Sequence, residues 1–159
     1  ISIVIYNKKL DTWTSGAHAG TFRGNQLAMK AGTVLLKKVS QPEFLKDVCK
    51  KGDLIRTRLN ELKNKVSIIG DIRGVGLMVG TEFVNPKGQR DLQGSLPASG
   101  EIAAKVQKMC FENYLVAEKG GRDGSVMRCL CALNISEEDV NKALDIFEKC
   151  VLEIDKEYK

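Results

Sequence analysis

Two short stretches of the sequence contain residue types that could bind an anion. The first is Gly20-Thr21-Phe22-Arg23-Gly24-Asn25, in which a hydroxyl next to a glycine stands immediately before a predicted helix. Free backbone N–H groups at a helix N-terminus and a threonine hydroxyl together suit a phosphate. The alternative is that Thr21 only caps the helix, and the chemistry of the residues weighs the two interpretations about evenly.

The second stretch contains Arg128, which shares one face of a predicted strand with Val126 and Leu130. Burying an unpaired arginine is costly, so an arginine with apolar neighbours lies either at a rim or at a site where it awaits a carboxylate. Guanidinium geometry suits recognition of a carboxylate through two parallel hydrogen bonds. The pattern alone slightly favours the rim.

Other candidate sites have weaker support. The spacing Gly74-x-Gly76-x-x-x-Gly80 invites a dinucleotide interpretation, but these glycines alternate inside a predicted strand, which favours close backbone packing. His18 is more typical of a hydrogen-bonding loop residue than of a ligand or an acid/base. Trp13 and Phe22 are expected to anchor the loop rather than to stack on a ring. The common hydrolase and nucleotide-binding motifs do not occur.

Composition and charge exclude several classes of protein. The chain has 159 residues, of which 43% are hydrophobic and 28% are charged, as is typical of a globular protein. Its net charge of +5 is not gathered into a basic run with interleaved aromatics, so no nucleic acid partner is expected. Five cysteines and one histidine predict reduced thiols and no metal site. Without a membrane-length apolar run or a recognisable signal peptide, we predict a soluble, cytoplasmic protein with no membrane partner.

Hydrophobic periodicity predicts the elements that would position Thr21 and Arg128. The apolar stripe that follows Pro42 predicts a helix in which Gly52 marks a close approach. The other predicted elements are a strand buried on both faces at 1–6, a loop at 11–24, a helix at 25–39, a strand with a glycine face at 68–84, an exposed loop at 85–97, a helix from 99, strands at 115–117 and 126–130, and a last helix that begins at Ser136.

The order of elements after residue 40 predicts an α+β fold, with helices packed on a small, mainly antiparallel sheet. Residues 1–40 do not fit comfortably into this layer. The β-branched start without an initiator methionine suggests a piece of a longer protein.

Three stretches resemble one known family, the class III pyridoxal-phosphate aminotransferases. Trp13 and the segment 16–29 resemble its loop-to-helix segment, and the segments 72–83 and 126–139 agree with it in order and distance. The resemblance therefore spans most of the chain. The segment 13–26 is most similar to the diaminobutyrate–2-oxoglutarate aminotransferases, with glutamine at position 26 where many relatives have proline.

The resemblance implies roles for both anion-binding candidates. Thr21, flanked by Gly20 and Phe22, would reach across a homodimer interface to the phosphate of the partner's pyridoxal 5'-phosphate. Arg128 would bind the α-carboxylate of glutamate or 2-oxoglutarate. Cys131-Ala132 departs from the family, which commonly has prolines there, and this departure lies beside the implied carboxylate site.

The resemblance also implies a division of the chain into domains. Residues 1–40 would be the end of the large cofactor-binding domain, namely its last strand, a loop and the connecting helix, and residues 41–159 would be the C-terminal small domain. The lysine that forms the Schiff base and the acid opposite the pyridine nitrogen are expected upstream of Ile1. None of the residues 1–159 is then expected to be catalytic, and the chain alone is expected to be inactive.

The implied reaction moves an amino group from L-glutamate to L-aspartate 4-semialdehyde, giving L-2,4-diaminobutyrate and 2-oxoglutarate. Two alternatives remain open. The first is another class III ω-aminotransferase, acting on ornithine, acetylornithine or 4-aminobutyrate. The second is a non-catalytic oligomerisation module of the same fold.

Overall fold

The computed structural model describes residues 2–159. The chain divides into two compact units, the first ending at Leu45 and the second comprising Lys46–Lys159. The assignment of residues 1–40 to a larger domain stays a prediction.

The first unit contains a long loop and the helix α1, Gln26–Val39. Asn25 caps this helix, because its side-chain oxygen accepts the N–H of Ala28 at 2.9 Å. The predicted helix is therefore confirmed. Its apolar face is largely exposed within this unit, and Leu27 is 83% exposed.

The predicted strand at residues 1–6 is wrong for the part that the structure describes. Ser2–Tyr6 lie outside any helix or strand, and Ile5 is 92% exposed. Ile1 lies outside the described residues. A strand buried on both faces needs hydrogen-bonding neighbours, and no strand among residues 2–45 pairs with this segment. The apolar run alone could not supply these neighbours.

The helix α2, Pro42–Lys63, begins at the proline, whose missing N–H costs nothing in a first turn. A Cβ added to Gly52 would lie 2.7 Å from the carbonyl carbon of Gly76, so the predicted close approach is confirmed. The apolar stripe of α2 is buried along Val48, Ile55, Leu59 and Leu62.

The segment 68–84 forms a hairpin, and the prediction of a single strand is wrong there. Its strands are β1, Ile69–Val75, and β2, Met78–Phe83, joined at Gly76 and Leu77. Gly76 has a φ of +54°, which glycine adopts readily and which closes the chain on itself.

The remaining elements complete one sheet and two more helices. They are α3, Gly100–Glu112, β3, Glu118–Gly120, β4, Val126–Leu130, and α4, Glu137–Asp155. The sheet has the order β1-β2-β4-β3, and every neighbouring pair is antiparallel. The α+β fold is confirmed, although β3 begins at residue 118 instead of the predicted 115. Within residues 2–159, no helix has the length and apolar character needed to cross a membrane.

The core of the second unit lies on one face of the sheet. Thr81 and Met127 face each other there, and both are 2% exposed. Phe83 of β2 and Phe147 of α4 meet with ring centroids 6.4 Å apart. The helices contribute Ile55, Leu59, Ile102, Val106, Leu144 and Val151 to this core.

Candidate functional site

Arg128 belongs to a row of residues that crosses all four strands. Arg73 faces Gly80, Gly80 faces Arg128, and Arg128 faces Glu118 across successive antiparallel pairs. Directly opposed residues of antiparallel strands point to the same face of a sheet. These four residues, named here the charged row, therefore lie on the face opposite to the core.

The guanidinium of Arg128 has spare hydrogen-bonding capacity. Its Nη2 donates to Oε1 of Glu118 at 2.6 Å, and the side chain is 40% exposed. Its Nε is buried and has no hydrogen-bond partner among residues 2–159. The exposed part of the guanidinium therefore lies at its outer nitrogens, which can donate to a further anion.

Glycine 120 leaves room for that guanidinium. A Cβ at Gly120 would lie 2.9 Å from Nη2 of Arg128. Glycine at this position of β3 therefore lets the arginine lie close against the edge strand. A larger residue would require the guanidinium to shift.

Arg73, the other arginine of the charged row, is more fully paired. Its Nη1 lies 2.9 Å from Asp71 and 2.5 Å from Glu82. The hydrogen bond from Arg73 holds the pKa of Asp71 below its ordinary value. Of the two arginines, Arg128 is therefore the one better placed to accept a further anion.

A cavity of about 350 Å³ lies beside Arg128. Its lining is mostly apolar and includes Thr81 and Met127 of the core face, while Arg128 and Glu118 are the charged residues that border it. Such a cavity suits the aliphatic body of a small molecule. The lining includes Leu130, Cys131, Ile135, Leu144 and Phe147.

The two cysteines near this cavity are protonated thiols. Burial raises the pKa of Cys129 to about 11, and burial also raises the pKa of Cys131. A thiol is neither a nucleophile nor a metal ligand until it loses its proton. Among the described residues, no group of three or more histidine, cysteine or acidic side chains is arranged to hold a metal ion.

The loop that follows β4 forms a turn at the position of the Cys131-Ala132 departure. The carbonyl of Ala132 accepts the N–H of Ile135 at 3.0 Å. The buried amino group of Lys51 donates to the carbonyl of Ile135 at 2.7 Å. The turn therefore has its own hydrogen bonds without a proline ring.

Sequence reasoning missed Lys51 and Glu118. A signal for Lys51 was available, because it lies beside Gly52 on the buried side of α2 and follows Asp47 by one helical turn. No such signal existed for Glu118, whose partner is fixed by the register between β3 and β4.

Thr21 lies in an exposed turn of the first unit. The carbonyl of Gly20 accepts the N–H of Arg23 at 3.1 Å. The alternative that Thr21 caps the helix is wrong, because Asn25 makes the capping hydrogen bond. The Thr21 hydroxyl is exposed and available to an anion.

The aromatic residues of this loop differ in their contacts, because Trp13 has a stacking partner and Phe22 is almost fully exposed. Trp13 stacks on His18 with ring centroids 5.2 Å apart, and Arg23 contacts both the ring and the carbonyl of His18. The prediction that Phe22 anchors the loop is wrong within the described residues, since Phe22 is 90% exposed. No apolar neighbour among the described residues of this unit covers the ring, which is therefore exposed to solvent.

Comparison with known families identifies the family of the chain. A family model described as Aminotransferase class-III matches residues 1–151. The chain belongs to this family. Two curated proteins similar to this class III aminotransferase chain are named diaminobutyrate–2-oxoglutarate aminotransferase. The protein from Haemophilus influenzae is 37% identical over 96% of the chain, and the protein from Rhizobium meliloti is 41% identical over 89%.

The class III aminotransferase chain spans about a third of the length of these relatives, namely 34% and 30%. A solved structure, acetylornithine aminotransferase from Elizabethkingia anophelis, matches with a TM-score of 0.67 and 26% identity. The match covers 89% of this chain and 32% of that one. The predicted family and fold are both confirmed.

The class III aminotransferase chain thus presents two anion-binding candidates, one in each unit. The turn at residues 20–22 offers an exposed hydroxyl. The charged row offers the partly exposed guanidinium of Arg128, in a strand that also lines a largely apolar cavity.

Proposed function

We propose that the protein containing this chain is a pyridoxal-phosphate-dependent aminotransferase that moves an amino group from L-glutamate to L-aspartate 4-semialdehyde. The products are L-2,4-diaminobutyrate and 2-oxoglutarate. The observation that carries the proposal is the partly exposed guanidinium of Arg128, which bonds Glu118 through Nη2 and belongs to a strand that lines a largely apolar cavity. The names of the two curated relatives support the choice of substrates.

Arg128 binds the α-carboxylate of glutamate in this proposal. A guanidinium that bonds Glu118 through Nη2 still has the N–H groups of Nη1 to donate to an incoming carboxylate. The charged hydrogen bonds fix the orientation of the amino acid, and the apolar wall of the cavity limits the access of water. Glu118 shares the guanidinium and sets how strongly the substrate is held.

The turn at residues 20–22 fits the phosphate end of pyridoxal 5'-phosphate. The Thr21 hydroxyl is exposed and is not used as a helix cap, so it can donate a hydrogen bond to a phosphate oxygen. Gly20 and Phe22 flank it in the tight turn that Gly20 and Arg23 close. When bound, the cofactor supplies an electron sink for the transfer of the amino group. We propose that Thr21 serves the cofactor of a partner subunit in a homodimer.

The second candidate is a class III aminotransferase with a different amino donor, such as acetylornithine. The similarity to the solved acetylornithine aminotransferase favours it. Recognition of the glutamate carboxylate by Arg128 serves both candidates equally. The choice between them depends on which other substrate exchanges its amino group with the pair glutamate and 2-oxoglutarate.

Kinetics of the full-length protein with added pyridoxal 5'-phosphate test the proposal. We expect glutamate with aspartate 4-semialdehyde to give the highest kcat/KM in a panel that also contains ornithine, acetylornithine and 4-aminobutyrate. A higher kcat/KM for one of those three amines identifies the second candidate. No transamination with any pair identifies a non-catalytic module and refutes both.

A further inference from the structure

Lys51 is a buried lysine in the middle of α2, and it is 2% exposed. Lysine is almost never fully buried unless its charge is paired. Its Nζ lies 2.5 Å from the carboxylate of Asp47, 2.7 Å from the carbonyl oxygen of Ile135 and 3.4 Å from that of Leu133. An ammonium has three N–H donors, so each has an acceptor here.

Two of these acceptors lie in the loop that joins β4 to α4. β4 ends at Leu130, which faces Met78, and the next residues have no partner in the sheet. The bond between Ile135 and Ala132 closes a turn, and Lys51 ties that turn to α2. The anchored loop contributes Ile135 to the wall of the cavity beside Arg128.

We propose that Lys51 is a positioning residue for Arg128. By holding the loop that leaves β4, it fixes the end of the strand that presents the guanidinium and the adjoining wall of the cavity. This inference rests on the proposed function, in which Arg128 binds the substrate carboxylate. A binding group must be held close to one geometry to be effective, and the residues behind it supply that support.

The neighbouring Lys50 shows why simple stabilisation does not account for Lys51. Lys50 also links α2 to the start of α4, through an exposed ion pair with Glu137 at 2.7 Å. The surface link avoids the cost of removing an ammonium from water, whereas Lys51 bears it. An apolar side chain of similar length at position 51 would fill the same space without that cost. Unlike an apolar side chain, the ammonium also holds the carbonyl groups of Leu133 and Ile135 in place through hydrogen bonds.

The test compares Lys51→Met with the matched control Lys50→Met in the full-length protein. We expect Lys51→Met to raise the KM for glutamate roughly tenfold, because a small misplacement of a binding group has a large kinetic effect, and to leave kcat unchanged. We also expect faster hydrogen exchange at the amide of Ile135, measured by mass spectrometry. Lys50→Met should change neither quantity.

A second variant keeps the test decisive if Lys51→Met does not fold. Asp47→Asn removes the counter-ion of the buried ammonium and leaves both carbonyl contacts. We expect a KM rise in the same direction and about threefold, since a buried ammonium is held less firmly without its counter-ion. An unchanged KM in this variant would overturn the inference.

Failure of the inference differs from failure of the proposed function. A normal glutamate KM in Lys51→Met, together with a raised KM in Arg128→Ala, overturns the role of Lys51 alone. A normal KM in Arg128→Ala overturns the proposed function. A loss of kcat with KM unchanged in Lys51→Met also contradicts positioning of a substrate-binding group.

Discussion

The two faces of the sheet are held by different forces. On the core face, Val79, Thr81 and Met127 are at most 2% exposed and are held by packing. On the opposite face, the side chains of Arg73 and Arg128 are 53% and 40% exposed and are held by ion pairs. Packing contributes most of the stability of a domain, whereas exposed ion pairs contribute little. The charged row is therefore free to serve binding.

The largest effect is expected from a cavity in the core face. Phe83→Ala removes a side chain that is 0% exposed and contacts Phe147, and we expect a loss of about 4 kcal/mol in the free energy of unfolding. Met78→Ala on the opposite face of the same strand is the control, with an expected change of about 0.5 kcal/mol or less, because Met78 is 59% exposed. Urea denaturation measures both. Equal losses would show that the face opposite to the core, called here the open face, also depends on packing.

The charged row should respond in the opposite way. Arg128→Ala removes the side chain proposed to bind the substrate carboxylate. We therefore expect kcat/KM for glutamate to fall roughly 150-fold, which corresponds to a loss of about 3 kcal/mol in transition-state stabilisation. Its unfolding free energy should change by about 1 kcal/mol or less. Arg122→Ala is the control, because Arg122 is an exposed arginine of the same unit outside the row. An unchanged kcat/KM in Arg128→Ala would refute its assignment.

Asp155 is expected to make the stability of the second unit depend on pH in the acid range. Burial alone would raise the pKa of this carboxyl, but hydrogen bonds from the N–H and hydroxyl of Ser67 and the nearby Lys159 lower it. A carboxyl with a lowered pKa in the folded state stabilises the fold above its ordinary pKa, about 4. This stabilisation is lost as the pH falls through the folded value.

Thermal denaturation at a series of pH values tests this role. Asp155→Asn should cost about 2 kcal/mol at pH 7, the scale of hydrogen bonds to a charged group, and should flatten the fall in Tm between neutral and acid pH. Asp71→Asn on the open face is the control and should change the acid profile less, because Asp71 is half exposed. Identical profiles for Asp155→Asn and the unmodified protein would contradict this account.

Sequence periodicity predicted the elements better than it predicted burial or pairing. The helices and the close approach at Gly52 follow from spacing that local sequence contains. The hairpin was missed because glycines at alternate positions look like one continuous strand, and the positive φ of Gly76 is a property of the backbone. The exposure of Ile5 was missed because burial depends on a neighbour that the pattern cannot name.

The candidate site shows the same limit. Arg128 could be singled out because a cation among apolar residues is unusual, and the resemblance gave it a role. Its pairing with Glu118 depends on the register of two strands joined by a turn, which spacing does not determine. The burial of Lys51 depends on a loop more than 80 residues away, whose carbonyl groups leave no mark in the sequence.

The smallest expected effect concerns the carboxylate that already occupies Arg128. Glu118 is 53% exposed and bonds one nitrogen of the guanidinium at 2.6 Å. Its negative charge opposes a substrate carboxylate at the same group. Glu118→Gln keeps the shape and removes the charge, so we expect the KM for glutamate to fall about threefold, which corresponds to about 0.6 kcal/mol, the scale of an exposed ion pair. The unfolding free energy should change by less than about 1 kcal/mol.

Glu82→Gln is the matched control for this prediction, because Glu82 pairs with Arg73 on the same open face. It should leave the KM for glutamate unchanged. A raised KM in Glu118→Gln would mean that Glu118 orients the guanidinium for the substrate instead of competing with it. The direction of this small change therefore distinguishes the two roles of Glu118. If Glu118 competes with the substrate carboxylate, loss of its charge lowers the KM for glutamate. If Glu118 orients the guanidinium, loss of its charge raises that KM.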